Sequence, residues 1–119
     1  MATNYQRGYA FENKIVRFFR DLGFFVIRSA GSKGPVDVIA WNETDIYLIQ
    51  AKANSISPSE LRIAEEALRG VPFPVCGADD QWGCEFCVHR EVWVKGNPKL
   101  GDWHLRHEVN DYASEEVSE

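Results

Sequence analysis

Four polar residues in the first half of the chain have types and spacing that could do chemistry together: Glu12, Asp37, Gln50 and Lys52. In the stretch YLIQAK, Tyr47 to Lys52, side chains of a strand alternate between faces. Gln50 and Lys52 therefore share a face with Ile46 and Leu48, while Asp37 shares one with Ile39 and Trp41 in the run VDVIAW. If the two runs pair through the turn NETD, 42–45, Asp37 comes level with Gln50 and Lys52. Glu12 lies three residues before Ile15 and seven before Phe19, at the edge of an apolar helical stripe from which it can face the sheet. Burying four such groups unpaired is costly, and a divalent cation removes the conflict. Glu12 and Asp37 offer carboxylates, Gln50 an amide oxygen and Ala51 a backbone carbonyl, a hard-oxygen set suited to Mg²⁺. Lys52 can then orient or help deprotonate a water, or stabilise charge developing on phosphorus. These are the parts of a phosphodiester hydrolase. Taken singly, each group has a plainer explanation: a turn cap for Asp37, a helix ion pair for Glu12, a snorkelling strand-end amine for Lys52. The D…QxK spacing across a hairpin, with Glu12 on the preceding helix, outweighs them together.

The elements that must position these residues follow from periodicity. Phe11, Ile15, Phe18, Phe19 and Leu22 predict an amphipathic helix over about 4–22, stopped by Gly23. FFVIR, 24–28, reads as a strand, SAGSKGP, 29–35, as a loop, and 36–41 and 46–52 as two paired strands. Ser57, Pro58 and Glu60 spell a helix start and Gly70 its end. Residues 90–95 and 102–109 read as two further strands. The order αβββαββ predicts a single α/β domain with a mixed central sheet flanked by helices. That domain spans 1–109, carries an irregular insert at about 71–89, and is followed by a tail at 110–119.

Composition sets the outer bounds. The chain has 119 residues, 45% hydrophobic and 26% charged, which suits one soluble core. No apolar run reaches membrane-spanning length, and the start lacks a secretory signal, which predicts an intracellular protein. The net charge of −5 is unevenly spread: residues 1–34 carry six basic against two acidic residues, and the remainder seven against sixteen. The last twelve residues hold five acids and no base, a pattern that predicts a solvated, disordered end. The basic first third could meet phosphate despite the overall sign.

Four blocks in order carry a resemblance: G-x-x-F-E at Gly8 to Glu12, R-S-A-G-S at Arg28 to Ser32, G-P-V-D-V-I-A at Gly34 to Ala40, and Y-L-I-Q-A-K at Tyr47 to Lys52. Over about residues 7–70 the chain resembles the archaeal-type Holliday-junction resolvases of the PD-(D/E)xK nuclease superfamily. The resemblance implies a restriction-endonuclease-like mixed sheet and a homodimer. It also implies two Mg²⁺-dependent cuts placed symmetrically across a four-way DNA junction, with Mn²⁺ an acceptable substitute, in recombination and repair. By residue match, Glu12, Asp37 and Gln50 are metal ligands, with the Ala51 carbonyl beside them, and Lys52 is the catalytic lysine. Arg28 and Ser32 match positions near the scissile phosphate, Ser32 counting among the catalytic set, and Gly8 lets the helix start approach DNA. Arg7, Lys14, Ser29 and Lys33 complete the expected DNA-binding set. The family usually has glutamate where this chain has Gln50; related nucleases use Q-x-K, so the site reads as a working variant. The dimer's apolar surface is expected from the second half, with Trp93 and Trp103.

The insert lies beyond the resemblance. Cys84-x-x-Cys87 is a half-site for zinc that Cys76 and His89 could complete, although one residue between Cys87 and His89 is an unusual spacing. Three reduced cysteines in a surface loop are the weightier alternative. Two other functions stay open beside junction resolution: a restriction- or repair-type nuclease on duplex or flap DNA, and a non-catalytic binder of DNA structures.

Overall fold

A computed structural model of the chain describes residues 3–29, 34–72, 87–96 and 103–109. The first helix, α1, spans Asn4–Asp21. Thr3 caps it, accepting from the Gln6 backbone while the Gln6 side chain accepts from the Thr3 N–H. Its C-terminus closes in a Schellman motif: Gly23 N–H reaches Arg20 O at 2.9 Å, and Phe24 N–H reaches Phe19 O at 3.0 Å. Gly23 takes φ 92°, a left-handed conformation that favours glycine. Because the cap uses Phe24's N–H, the strand expected from 24 begins one residue later.

Five strands follow: β1 Phe25–Arg28, β2 Val38–Trp41, β3 Asp45–Lys52, β4 Cys87–Lys95 and β5 His104–Glu108, with α2, Pro58–Arg69, between β3 and β4. They form one sheet in the order β1-β2-β3-β4-β5. All neighbours are antiparallel except β3 and β4, which are parallel and therefore need the α2 crossover. The expected αβββαββ order and the β2–β3 hairpin both hold. The Asn42 side chain accepts from the N–H groups of Thr44 and Asp45, tightening that hairpin's turn. The capping box expected at Ser57, Pro58 and Glu60 is present.

Each face of the sheet carries one helix. Phe11, Ile15, Val16 and Phe19 of α1 pack on Val26, Val38, Ala40, Ile49 and Trp93. Ala64 and Leu68 of α2 pack on Val92, Val94 and Val109. β4 is covered on both faces, so Trp93 is fully buried and cannot belong to the surface between subunits to which its sequence pattern assigned it. Its Nε1 donates to Glu91, a buried carboxylate that Arg106 of β5 also grips through Nε at 2.9 Å and Nη2 at 3.2 Å. β4 begins at Cys87, three residues before the sequence suggests, which brings His89 into the sheet. There its Nε2 meets Asp45 Oδ1 at 2.8 Å and its ring stacks on Tyr47. Neither described helix is long and apolar enough to cross a membrane.

Candidate active site

The sheet has one end where β1 stops, β2 starts and β3 stops, and the polar residues gather there. Asp37 lies one residue before β2. Its N–H donates to Ile49 O and its C=O accepts from Ser29 N–H, so its backbone is held from both sides. Beyond that point β2 offers β3 no further carbonyl. The Asp37 carboxylate takes the vacated role: Oδ2 accepts from the Ala51 N–H at 2.9 Å. One strand residue sends its N–H and C=O toward the same neighbour, so the Ala51 carbonyl also turns to this side. Gln50 and Lys52, of opposite parity, point to the α2 face. They line a cleft of about 200 Å³ with Ile56, Glu60, Ile63, Ala64 and Ala67. Glu12 arrives from the other face, on α1. Its Oε1 accepts from Arg28 Nη1 at 3.0 Å, and the Arg28 guanidinium lies 4.4 Å from the centre of the Tyr9 ring. Burial holds the Asp37 carboxyl above the ordinary carboxylate range. The Ala51 N–H pulls it the other way, the Glu12 charge adds to the rise, and Lys52 opposes it. The four residues singled out by spacing thus sit at one end of the sheet, yet they straddle it instead of sharing a face.

Residues 3–72, more than half of the chain, match the family model of the archaeal Holliday junction resolvases (Hjc). The chain belongs to that family. It is 42% identical over 55 residues to a curated relative named crossover junction endodeoxyribonuclease Hjc, from Methanocaldococcus jannaschii. The match covers 46% of this chain and 41% of that protein, so the chain spans about two fifths of the length of the relative it matches. No solved structure matches. The resolvase-family segment contains Glu12, Arg28, Asp37, Gln50 and Lys52, together with both helices. The strands β4 and β5 lie beyond it.

A resolvase-type nuclease implies a divalent cation, and the donors present fit one. The amide oxygen of Gln50 is buried and meets no hydrogen-bond donor among the described residues. An orphaned buried acceptor is costly, and a cation would satisfy it. The Ala51 bond uses Oδ2 of Asp37 and the Arg28 bond Oε1 of Glu12, which leaves Oδ1 and Oε2 to turn toward a cation. Among the described residues, no three His, Cys, Asp or Glu side chains gather as a metal site, so two carboxylates need the amide and the Ala51 carbonyl to complete a set.

Of the expected DNA-binding residues, Arg7 and Gly8 are half-buried, Lys14 is exposed and Ser29 is half-buried. A Cβ at Gly8 would meet nothing within 4 Å, so packing does not demand glycine there. Ser32 and Lys33 lie outside the described residues, as do Cys76, Cys84 and the acidic tail. Of the zinc candidates that are described, Cys87 is exposed and His89 is engaged by Asp45. The pairing of Arg28 with Glu12 and Tyr9 was not anticipated. Only the i, i+3 spacing of Tyr9 and Glu12 on one helix hinted at it.

Proposed function

We propose that the chain is a divalent-metal-dependent endonuclease that cuts four-way DNA junctions, using Mg²⁺ and acting as a homodimer. One observation carries this reading: within the resolvase-family segment, two carboxylates, a buried unpartnered amide oxygen and a lysine occupy one sheet end. Glu12, Asp37, Gln50 and the Ala51 carbonyl would hold the cation. When bound, it would acidify a water and neutralise charge on the attacked phosphate. The Ala51 N–H fixes one oxygen of Asp37, so the other keeps a set direction. Lys52, on the same face as Gln50, orients the attacking water or donates to a phosphate oxygen as its charge grows. Arg28 holds Glu12 in place and stands ready beside the phosphate position, with Ser32 completing the catalytic set. Arg7, Gly8, Lys14, Ser29 and Lys33 serve the DNA backbone, where contacts fix position without reading sequence.

Two-fold substrates favour two-fold enzymes. The open part of the sheet face beside α2 supports a self-association surface. Phe25 and Ile27 are exposed there at 67% and 54%, Phe25 stacks on Trp41, and Ile63 of α2 is 69% exposed. Large apolar exposure of this kind marks interaction surfaces. The site of action would be inside the cell, with DNA. Zinc at Cys76, Cys84, Cys87 and His89 stays a minor alternative to three reduced thiols.

The test is incubation with a synthetic four-way junction, a duplex and a flap, each with and without Mg²⁺. Paired symmetric nicks in the junction alone, and only with metal, are expected. Cutting of the duplex or flap would select a restriction- or repair-type nuclease. A metal-independent shift without cutting would select a non-catalytic binder, the reading that the uncharged Gln50 leaves open.

A further inference from the structure

On the flank of α1 away from Glu12, two adjoining clefts of about 200 and 410 Å³ share Lys14 and Trp103. Together they form one groove between α1 and the β4–β5 end of the sheet. Among the described residues its cations are Arg7, Lys14 and Arg17 on the helix and Lys95 at the end of β4, against one acid, Asp21. Lys14, Arg17 and Lys95 are exposed. The floor is aromatic. Trp103 is braced by Phe11, Phe18 and Trp93, with ring centroids at 6.1, 6.0 and 5.8 Å, and Lys14 Nζ lies 6.0 Å from its ring centre. In a chain of net charge −5, this collection of cations around an indole is a local exception.

We propose that this groove binds an unpaired stretch of DNA, with a base stacked on Trp103 and phosphates met by Lys14, Arg17 and Lys95. The inference rests on the reading that the chain acts on DNA, and extends the backbone set at Arg7 and Lys14 into a subsite for an unpaired strand built with Arg17, Lys95 and Trp103. Cationic grooves with braced aromatic floors suit single strands, because every base has a face to stack and every nucleotide a phosphate. From Arg7 to Arg17 the helix rises about 15 Å at roughly 1.5 Å per residue. That length accommodates a few consecutive nucleotides, within the site sizes of single-strand grooves.

The groove is separate from the cutting site but opens toward it. At about 100° per residue, Glu12 lies roughly 140–160° around α1 from Arg7 and Lys14, so one groove cannot hold both sets. β3 and β4 run parallel with Lys52 opposite Val94, which puts Lys95 at the same end of the sheet as Lys52. Adjacent strands lie about 4.8 Å apart, so an unpaired strand leaving the site crosses only β4 to enter the groove. Trp103 and Lys95 lie outside the family-matched segment, so the groove is formed where α1 of that segment meets this chain's second half.

The test uses the full chain without metal at low salt, with a labelled oligothymidylate and a fully paired four-way junction as separate probes read by fluorescence anisotropy. Wild type should bind both. Lys95→Glu should weaken oligothymidylate binding about tenfold and lower its salt slope by about one, with less than a twofold change for the paired junction. Oligothymidylate should quench the intrinsic tryptophan emission of wild type, and Trp103→Phe, which keeps a ring in the packing, should lose most of that quench. Oligothymidylate binding by Lys95→Glu equal to wild type, or quenching undiminished in Trp103→Phe, would overturn the groove assignment. So would a wild type that binds the junction but not oligothymidylate. Displacement of the oligonucleotide by polyglutamate at equal charge concentration would give the groove to acidic protein segments instead. Failure to bind either DNA would remove the nuclease reading, and this inference with it.

Discussion

Asp37 is the residue whose environment most clearly opposes its charge. Burial and the Glu12 carboxylate both raise its pKa, and the Ala51 N–H and Lys52 offset this only in part. A carboxylate whose folded pKa is raised costs the fold stability as the pH climbs from its unfolded pKa to its folded one, and the full penalty holds above that. Asp37→Asn should therefore stabilise the metal-free protein at neutral pH. Solvent screening at a half-buried group keeps the gain small, and it should appear as a modest rise in Tm. The gain should shrink as the pH falls below the raised folded pKa and be gone by the ordinary carboxylate pKa, where Asp37 is protonated in both states. Thermal melts of both proteins in chelator across acid and neutral pH check this; a variant less stable at every pH would contradict it. Gln50→Glu tests the neighbouring donor. It turns a neutral oxygen into a charged one and should lower the Mg²⁺ concentration needed for half-maximal cutting. Without metal, the third carboxylate should lower Tm. An unchanged metal requirement would remove Gln50 from the ligand set. Alternation along YLIQAK was enough to pair Gln50 with Lys52. It could not reveal that Glu12 approaches from the opposite face, because strand parity says nothing about which helix covers which side.

At the level of elements, local signals were legible and distant partners were not. The Ser57–Glu60 box and the glycine after α1 are chemistry within a few residues, and they mark the helix ends as read. The start of β4 was misjudged because Cys87 and His89 look like metal ligands in isolation. Asp45, the residue that draws His89 into the sheet, is 44 positions away. Trp93 was assigned to a surface for a similar reason: its burial depends on β4 being an interior strand covered by both helices. The surface left uncovered is that of β1 and β2 beside α2. Ile27→Glu places a charge on this face at a position already 54% exposed, so the monomer fold should survive. Light scattering at micromolar concentration should give dimer mass for wild type and monomer mass for the variant. A monomeric wild type would count against two-fold junction cleavage, and a dimeric variant would move the interface elsewhere.

At the scale of the whole molecule, charge and chemistry divide the chain. The first 34 residues hold six of its thirteen basic residues, and every proposed catalytic side chain falls within residues 12–52. The fold carries Glu12, Asp37, Gln50 and Lys52 to one end of a sheet in which β4 supplies the buried Trp93 and Glu91, and β5 the Arg106 that grips Glu91. The four-residue constellation was visible in the sequence because its members lie on adjacent elements joined by short connections; the Glu12–Arg28 pair and the Trp103 groove depend on packing that no spacing encodes. The central claim is that this sheet end cuts four-way junctions, and Lys52→Ala isolates it, because the lysine serves chemistry while affinity comes from dispersed phosphate contacts. The decisive measurement is single-turnover cleavage of a four-way junction in Mg²⁺ by wild type and Lys52→Ala, with junction affinity measured alongside. Wild type should make paired symmetric nicks, and Lys52→Ala should bind the junction within about twofold of wild type and cut at least about a hundredfold more slowly. Equal cutting rates for the two proteins would contradict the assignment.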